Sequence, residues 1–294
     1  MNVEQGGPQE WLYVIVDETP TSTVEQLQGA CERRGVECVL VDAGTFDMVG
    51  FEPLEGGAML YSPGTTHRAH VVEQLLVHAG VATFYPDALG PHRVWDNQAL
   101  VLAKHGVPMP RAFYALTTHR GRLRAQVEAL GGLPVILKVP GRSLGVGVMR
   151  LETWSSLFSV VDAIEAVHGD RPTLMACIEP AVHWRVIVVG DRVAAAYINA
   201  PDPDDFRTSV VEQELAHFTT PPPPEVVDVA MRATQVLGVA LGGVDVLEHA
   251  SGRAYVLEVN FPCYFGHPWS AARIDVAGVM VDFLLARAAA VREG

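Results

Sequence analysis

Two apolar segments near the end of the chain carry three polar residues, and this pattern limits the fold more than any other feature of the sequence. Asp245 is flanked by valines, while Glu258 and Asn260 stand among valines and a leucine. The residues at 249–252 separate the two segments and end in glycine, which is typical of a turn. The sequence therefore predicts a β-hairpin whose apolar strands carry the three polar side chains.

The three polar residues form a candidate cation site. Glu258 and Asn260 are two positions apart, so on a strand their side chains point to the same face. The hairpin brings Asp245 alongside them, and a carboxylate is costly to bury unless it is paired or binds a cation. Oxygen donors of this kind suit Mg²⁺, with water and substrate phosphates as its further ligands. The alternative is a sheet whose polar side chains face water.

Composition indicates a soluble globular protein. The chain has 294 residues, of which 49% are hydrophobic, and this supports a sizeable core. Its net charge of −13 argues against nucleic acid or an anionic membrane as a general partner. Its four cysteines form no CxxC pair, which favours reduced thiols over a disulfide or zinc framework.

Targeting and membrane signals are not found. Residues 1–10 lack the apolar stretch of a signal peptide. The apolar segment 274–291 is interrupted by Asp275, Asp282 and Arg287, which is at odds with a membrane span. We therefore expect a cytoplasmic protein whose last segment is an amphipathic helix.

Strand and helix signals alternate over the first ninety residues. Predicted strands lie at 11–16, 36–41, 57–61 and 81–85, and predicted helices lie at 21–34 and 67–78. This alternation indicates a parallel sheet with helical crossovers. Because no GxGxxG motif follows the first strand, a dinucleotide site there is not supported.

The rest of the chain predicts more helices and several hairpins. Helices are expected at 95–105, 121–130, 153–167 and 225–237. Strands are expected at 111–116, at 173–178 and on both sides of the Gly190-Asp191 turn.

Lys138 stands at the end of an apolar strand and opens a glycine-rich segment. Glycines at 141, 145 and 147 let the backbone approach a ligand closely, so that N–H groups can face phosphate oxygens. A lysine beside such a loop supplies a point charge. The spacing is not a Walker A motif. The alternative is an ordinary glycine-rich hairpin with an exposed lysine.

Lys138 and its loop, followed about a hundred residues later by Asp245 and Glu258-x-Asn260, resemble the ATP-grasp superfamily. The similarity is greatest to its carboxylate–amine ligase branch, which includes glutathione synthetases, D-alanine–D-alanine ligases and amino-acid-adding ligases. The resemblance covers residues 93–285. Five elements match in order: the turn at 106–110, the lysine strand and loop at 138–148, the arginine strand at 184–190, the element at 205–209, and the paired strands at 243–245 and 258–260.

The resemblance implies an α/β (α+β) architecture, an ATP-grasp fold with an N-terminal parallel α/β domain. The implied division of the chain has three parts. Residues 1–92 form the pre-grasp domain, residues 93–174 form the central subdomain with the glycine-rich loop, and residues 175–294 form the C-terminal subdomain with the Mg/ATP site.

The resemblance also implies a site for ATP and Mg²⁺. Asp245, Glu258 and Asn260 would hold the metal. Lys138 would contact phosphate oxygens from the opposite side, beneath the loop that carries Gly145 and Gly147.

Two arginines and a short hinge complete the implied site. Arg185 and Arg207 would bind the acid substrate or the transferring phosphate, since a guanidinium pairs well with either group. The alternative for each arginine is a surface salt bridge. The hinge would bind adenine through the backbone near Ala176 and Ile178, and Glu179 would bind the ribose.

The sequence departs from the family pattern at three places. The lysine expected before the helix at 95–105 is missing, and Arg93 is a candidate substitute. Ser209 stands where the family has Asn, and the Arg-Gly-Gly that usually follows is missing at 210–215. The loop at 261–269 carries Tyr264, His267 and Trp269, which could line a small pocket or pack on the last helix.

The implied function is an ATP-dependent carboxylate–amine ligase that releases ADP and phosphate. A substrate carboxylate becomes an acyl phosphate, and an amine of another molecule or of the same molecule displaces the phosphate. We expect small amino-acid-type substrates, no nucleic acid or membrane partner, and leave homo-oligomerisation open. The alternatives are an ATP-grasp kinase and a non-catalytic Mg-ATP-binding module.

Overall fold

The computed structural model describes residues 10–85, 98–114, 116–139, 145–167, 172–199, 205–207 and 216–293. It shows a mixed α/β fold with three sheets, which confirms the predicted fold class. Among these residues, none of the helices is both long and apolar enough to cross a membrane.

A three-stranded parallel sheet forms the N-terminal part. Its strands are β1 (Glu10–Val16), β2 (Val36–Asp42) and β3 (Met59–Tyr61), in the order β2-β1-β3, and its helices are α1 (Thr21–Glu32) and α2 (His67–Leu76). The predicted parallel sheet with helical crossovers is confirmed. The predicted strand at 81–85 is wrong, because only Ala82 forms a bridge to Met59. The Thr83 hydroxyl accepts a hydrogen bond from the Tyr85 amide at 3.1 Å, and this local turn replaces the strand ladder.

An antiparallel sheet of four short strands follows. Its strands are β4 (Ala112–Phe113), β5 (Val135–Lys138), β6 (Val148–Leu151) and β7 (Thr173–Ala176), in the order β4-β7-β5-β6. Helix α3 (Gln98–Lys104) precedes the sheet, and α4 (Arg120–Ala129) and α5 (Trp154–Val167) cover it. On β5, Val135 and Leu137 are buried beneath these helices, so the period-2 alternation turns Lys138 to the opposite face.

The third sheet is antiparallel, in the order β11-β10-β8-β9. It contains β8 (Ala181–Val189), β9 (Arg192–Asn199), β10 (Leu241–His249) and β11 (Ala254–Asn260), and its helices are α6 (Ala216–Thr219), α7 (Pro224–Leu237), α8 (Gly266–Ala272) and α9 (Val276–Glu293). Helix α7 begins with proline at its first position and ends at Gly238, which has the left-handed φ of 69° that glycine adopts without strain. The prediction at 225–237 is thereby confirmed.

The two faces of this third sheet have different partners. Val244 and Val246 on β10 pack against α7, while Ile187 on β8 and Tyr197 on β9 lie in the core that the sheet shares with the N-terminal domain. Asp245 alternates with the two valines and therefore lies on the second face. The polar residues therefore lie at one end of this second face, and the other end of the same face is buried in the apolar core.

Helix α9 joins the end of the chain to its beginning. It packs in one core with Leu12 of β1 and Leu27 of α1. Ion pairs reinforce this contact: Arg33–Asp275 at 2.7 Å, Arg34–Asp282 at 2.6 Å and Arg292–Glu10 at 2.7 Å.

Glu73 on α2 is a carboxylate buried within the N-terminal domain. Glu73 is 4% exposed, and its carboxylate interacts electrostatically with the buried hydroxyl groups of Tyr61 and Tyr85. Burial raises the pKa of Glu73 from its ordinary value of 4.5 to about 8. At neutral pH the group is therefore held largely protonated in the folded chain.

We expect Glu73→Gln to stabilise the protein at high pH. As the pH rises above about 4.5, the unfolded chain releases the proton first, so the folded state loses stability up to a pH near 8. The variant should raise the free energy of unfolding at pH 9 by on the order of 5 kcal/mol and change it little at pH 4. Urea unfolding at both pH values measures this. An equal effect at the two pH values would contradict the assignment.

Candidate active site

The β10–β11 hairpin sets the three polar residues side by side, as the sequence predicts. Asp245 pairs with Glu258, and Gly243 pairs with Asn260. A bulge lies between Asp245 and Val246, and it shifts the register of the strands beyond it. The three polar side chains therefore lie together near the end of β11. They face the space between this sheet and the central sheet, which we call the cleft.

Asp245 is the buried centre of this group. Its Oδ1 accepts hydrogen bonds from Arg185 Nε at 2.8 Å and from His183 Nε2 at 3.1 Å. Its Oδ2 accepts from Arg185 Nη2 at 3.1 Å and from Asn260 Nδ2 at 3.0 Å. The carboxylate thus accepts four hydrogen bonds, and its residue is only 5% exposed.

The charges of Asp245 and Arg185 stabilise each other. Burial alone would raise the pKa of Asp245, but Arg185 and the His183 hydrogen bond outweigh it and hold that pKa below the ordinary value of 3.8. Burial likewise opposes the charge of Arg185, and the Asp245 carboxylate raises the pKa of the guanidinium in return. Both groups are charged at neutral pH.

Lys138 reaches this hairpin from the central sheet. Its Nζ lies 2.7 Å from Glu258 Oε2, and the two side chains are 41% and 38% exposed. The residues are 120 positions apart in the chain, so the contact joins two separate sheets across the cleft. The cation predicted opposite the acidic hairpin is in place.

The oxygen donors at the hairpin fit a hard cation. Glu258 uses Oε2 to contact Lys138, and Asn260 uses Nδ2 to donate hydrogen bonds. The other oxygens, Glu258 Oε1 and Asn260 Oδ1, make no hydrogen bond among the described residues. Within the same described part of the chain, no three His, Cys, Asp or Glu side chains are grouped to hold a metal. Glu258 and Asn260 offer two oxygen ligands, and Mg²⁺ takes its remaining ligands from waters and phosphates.

The glycine-rich loop is seen at its C-terminal side. Gly145 and Gly147 have φ values of 73° and 79°, a region open to glycine. Arg207 bonds Asp205 through Nε at 2.8 Å, and its Nη1 also donates to the Gly145 carbonyl at 3.4 Å. Arg207 thus forms a salt bridge and also lies against the loop.

The predicted adenine hinge, residues 176–179, begins at the last residue of β7, the strand that pairs with the Lys138 strand. Ala176 pairs with Val135 and Thr173 pairs with Lys138, so the hinge lies three residues, or roughly 10 Å, along β5 from the lysine. Ile178 and Glu179 line a cavity of about 180 Å³ against the β10–β11 hairpin turn. Glu179 is not free there, because its Oε2 accepts a hydrogen bond from Arg150 at 3.0 Å.

The aromatic residues that follow β11 divide between two environments; Tyr264 lies in the loop, and His267 and Trp269 lie in α8. Tyr264 and His267 contact each other with ring centroids 4.9 Å apart, and His267 lies 6.5 Å from Tyr197. Trp269 instead packs beneath the guanidinium groups of Arg33 and Arg273. The contacts of Trp269 agree with the prediction of packing against the helices, while the pocket wall stays a prediction for Tyr264 and His267.

Sequence reasoning missed two residues near Arg185. Tyr197 pairs with Arg185 in the β8–β9 register. Cys263 packs against Gly243, and a Cβ on that glycine would lie 2.8 Å from the Cβ of Cys263. The Gly190-Asp191 turn predicts the hairpin, but a bulge between Ile187 and Val188 shifts the register by one residue. The turn alone would place Ala196 opposite Arg185, so the sequence did not identify Tyr197. The position of Cys263 depends on the loop after β11, and no pattern in the sequence indicates it.

Two sequence predictions lie outside the described residues. These are the substitution by Arg93 and the change at Ser209. The domain boundaries stay predictions, and the one after residue 174 falls within β7. A separate cavity of about 510 Å³, lined by Phe84, Phe283 and Arg287 among others, contains none of the predicted site residues.

An antiparallel sheet bearing a lysine and a glycine-rich loop, facing a second sheet bearing Asp245, Glu258 and Asn260, defines the ATP-grasp class of proteins. The chain belongs to the RimK-like ATP-grasp domain family, whose model matches residues 96–284.

The chain is also similar in sequence to proteins named as alpha-L-glutamate ligases. A probable alpha-L-glutamate ligase of Trichodesmium erythraeum (strain IMS101) is 30% identical over 186 residues, which are 63% of this chain and 60% of the relative. The chain thus matches about three fifths of the length of that relative.

Solved structures of ATP-grasp proteins share the whole fold. The ATP-grasp ligase PsnB, complexed with minimal precursor, Mg and ADP, has a TM-score of 0.71 at 21% identity, covering 95% of this chain and 97% of PsnB. In complex with precursor peptide PsnA2 and AMPPNP, it has a TM-score of 0.70 at 18% identity, covering 95% and 98%. The D-cycloserine synthetase DcsG has a TM-score of 0.68 at 19% identity, covering 95% and 99%.

Proposed function

We propose that the protein is an ATP-dependent carboxylate–amine ligase that forms an amide-type bond and releases ADP and phosphate. The observation that carries the proposal is the contact of Lys138 with Glu258 across the cleft, 2.7 Å long, between the two sheets. Without a nucleotide the two groups neutralise each other. With phosphates in the cleft, the lysine binds phosphate oxygens and the glutamate is released to a metal.

The nucleotide lies along β5 in this proposal. The backbone near Ala176 and Ile178 binds adenine, and Glu179 binds the ribose after exchanging its contact with Arg150. Gly145 and Gly147 allow the loop backbone to approach the phosphates. The roughly 10 Å between the hinge and Lys138 suits a ligand with an aromatic ring at one end and phosphates at the other.

Glu258 and Asn260 would hold Mg²⁺ through Oε1 and Oδ1, which make no hydrogen bond to the described residues. Asp245 already accepts four hydrogen bonds, so it joins the metal only by exchanging one of them. When bound, Mg²⁺ neutralises the charge on the phosphates.

The arginines orient the acid. Arg185 contacts Asp245 through Nε and Nη2, and its Nη1, which makes no hydrogen bond to the described residues, would bind a substrate carboxylate. Arg207 lies at the loop that would cover the phosphates. Burial raises the pKa of the Cys263 thiol to about 12, so the thiol stays protonated and takes no part as a nucleophile. Rate enhancement then depends on positioning and charge stabilisation.

The acid and the amine are small amino-acid-type molecules or parts of a peptide, on one molecule or on two. The complex of PsnB with a precursor peptide supports the peptide class, and the fold of D-cycloserine synthetase supports the small-molecule class. We place the protein in the cytoplasm, where the four free cysteines stay reduced.

A hydroxamate assay tests the ligase reaction before the amine is known. The protein is mixed with Mg-ATP, a panel of amino acids and hydroxylamine, which replaces the amine. An acyl phosphate reacts with hydroxylamine to give a hydroxamate and free phosphate, in equal amounts with ADP. We expect hydroxamate with at least one acid.

The competing functions give different products. A kinase would transfer phosphate to a hydroxyl group, so mass spectrometry would find a stable phosphate ester and no hydroxamate. A non-catalytic module would bind Mg-ATP without forming ADP. Either result would overturn the ligase proposal.

A further inference from the structure

Three aromatic rings form a continuous wall beside Arg185, and we call them the ring wall: Tyr197, His267 and Tyr264. The His267 ring meets Tyr197 at 6.5 Å and Tyr264 at 4.9 Å, edge to face in both cases at 81°. Tyr197 is 3% exposed and Tyr264 is 43% exposed. The ring wall therefore extends from the buried base of the cleft to its mouth.

The base of the ring wall adjoins the free nitrogen of Arg185. Nη1 makes no hydrogen bond among the described residues, and a Cβ on Gly243 would lie 3.0 Å from it. The same Cβ would lie 2.8 Å from the Cβ of Cys263, so glycine at this position lets Arg185 and Cys263 pack closely against β10. The Arg185 side chain is 20% exposed, and a carboxylate that reached Nη1 would place the carbon chain behind it against the rings.

The mouth of the ring wall also depends on a glycine. A Cβ on Gly266 would overlap the ring of Tyr264. Because glycine stands there, the tyrosine lies back over its own loop and presents its ring to the half-buried His267. The ring is thereby fixed while a large part of it remains accessible.

The ring wall carries no charge to attract a second anionic group. Burial lowers the pKa of His267, and the nearby charge of Arg185 lowers it further, so the ring is neutral at pH 7. Burial raises the pKa of Tyr197 to about 12. Among the described residues of the wall and its base, Arg185 is the one cation, and Asp245 already pairs with it. A second carboxylate there would be desolvated without a partner.

We propose, on the basis of the ligase function above, that the ring wall selects the acid substrate: a carboxylic acid whose carbon chain is apolar, with an aromatic ring preferred over an aliphatic one. The reacting carboxylate binds Arg185 Nη1, and the side chain packs edge to face on His267 and Tyr264. Aromatic pairs prefer this geometry and gain more than their buried area alone provides. Acids with an anionic side chain are excluded.

Equilibrium binding tests the preference independently of turnover. Calorimetry on the protein with Mg-ADP would compare phenylalanine, leucine, alanine, aspartate and glutamate. We expect phenylalanine to bind at least about tenfold more tightly than alanine or glutamate, from the burial of its side chain. Tighter binding of glutamate or aspartate, or equal binding of all five, would overturn the proposal.

Variants of Tyr264 assign the preference to the ring wall. Tyr264→Ala should lower kcat/KM for phenylalanine in the hydroxamate assay by about tenfold, and the ratio of kcat/KM for phenylalanine to that for alanine should fall with it. Tyr264→Phe keeps the ring and should retain the preference. Because Tyr264 is 43% exposed, thermal unfolding should be nearly unchanged in both variants. A Tyr264→Ala protein that still prefers phenylalanine would overturn the role of this residue.

The two proposals fail in different ways. If no acid gives hydroxamate, the ligase function fails, and the calorimetric comparison still decides which acid binds. If glutamate gives hydroxamate at the highest rate, the ligase function stands and the ring-wall proposal is wrong.

Discussion

Glu258→Gln is expected to reduce hydroxamate formation by about 100-fold or more while the fold is retained. The variant keeps the shape of the side chain but removes the charge that contacts Lys138 and that, in the proposed site, would also hold the metal. The stability effect should be small, because this ion pair is more than a third exposed and such pairs contribute little. Rates with saturating acid, together with thermal unfolding curves, measure the two effects.

A matched control lies on the same hairpin. Glu248→Gln removes one negative charge from β10 at a position where the side chain accepts a hydrogen bond from the Trp184 indole at 2.8 Å. Glutamine can still accept that bond, so the rate should stay near that of the wild type. Glu258→Gln with the activity of the control would contradict the metal assignment.

Asp245→Ala is expected to destabilise the fold by about 3–5 kcal/mol. The change leaves the guanidinium of Arg185 buried without its counter-charge, and it removes four hydrogen bonds at once. Urea unfolding at pH 7 measures the loss. A change below about 1 kcal/mol would show that the pair does not hold this part of the sheet.

A double-mutant cycle separates the ion pair from simple packing loss. Asp245→Ala combined with Arg185→Leu removes both charges, so the double variant should be more stable than Asp245→Ala alone. The pH dependence has a fixed sign. Because the folded pKa of Asp245 is below 3.8, its stabilisation is present at neutral pH and is lost as the pH falls through the folded pKa. Asp245→Ala should therefore show a shallower acid unfolding than the wild type.

The hairpin and the alternation of its faces could be predicted from the sequence. Valines around Asp245 and Glu258 determine which side of each strand is buried, and a two-residue period then places the polar groups together. Lys138 followed from the same reasoning on β5. These predictions needed only local patterns and one turn.

Contacts between distant segments could not be predicted in this way. The contacts of His183 and Arg185 with Asp245 depend on the register between β8 and β10. The sequence of neither strand indicates that register. The strand expected at 81–85 failed because one hydroxyl, that of Thr83, formed a turn instead. The ring wall needed three separate elements, β9, the loop after β11 and α8, to converge.

The packing of α9 on the N-terminal sheet has a consequence for the order of folding. Val276–Glu293 supplies part of the core around β1 and α1, so that part of the apolar surface stays uncovered during synthesis until those residues are made. Such long-range contacts slow folding and expose intermediates to aggregation. During translation, the first strands that the ribosome releases are therefore among the last to be covered.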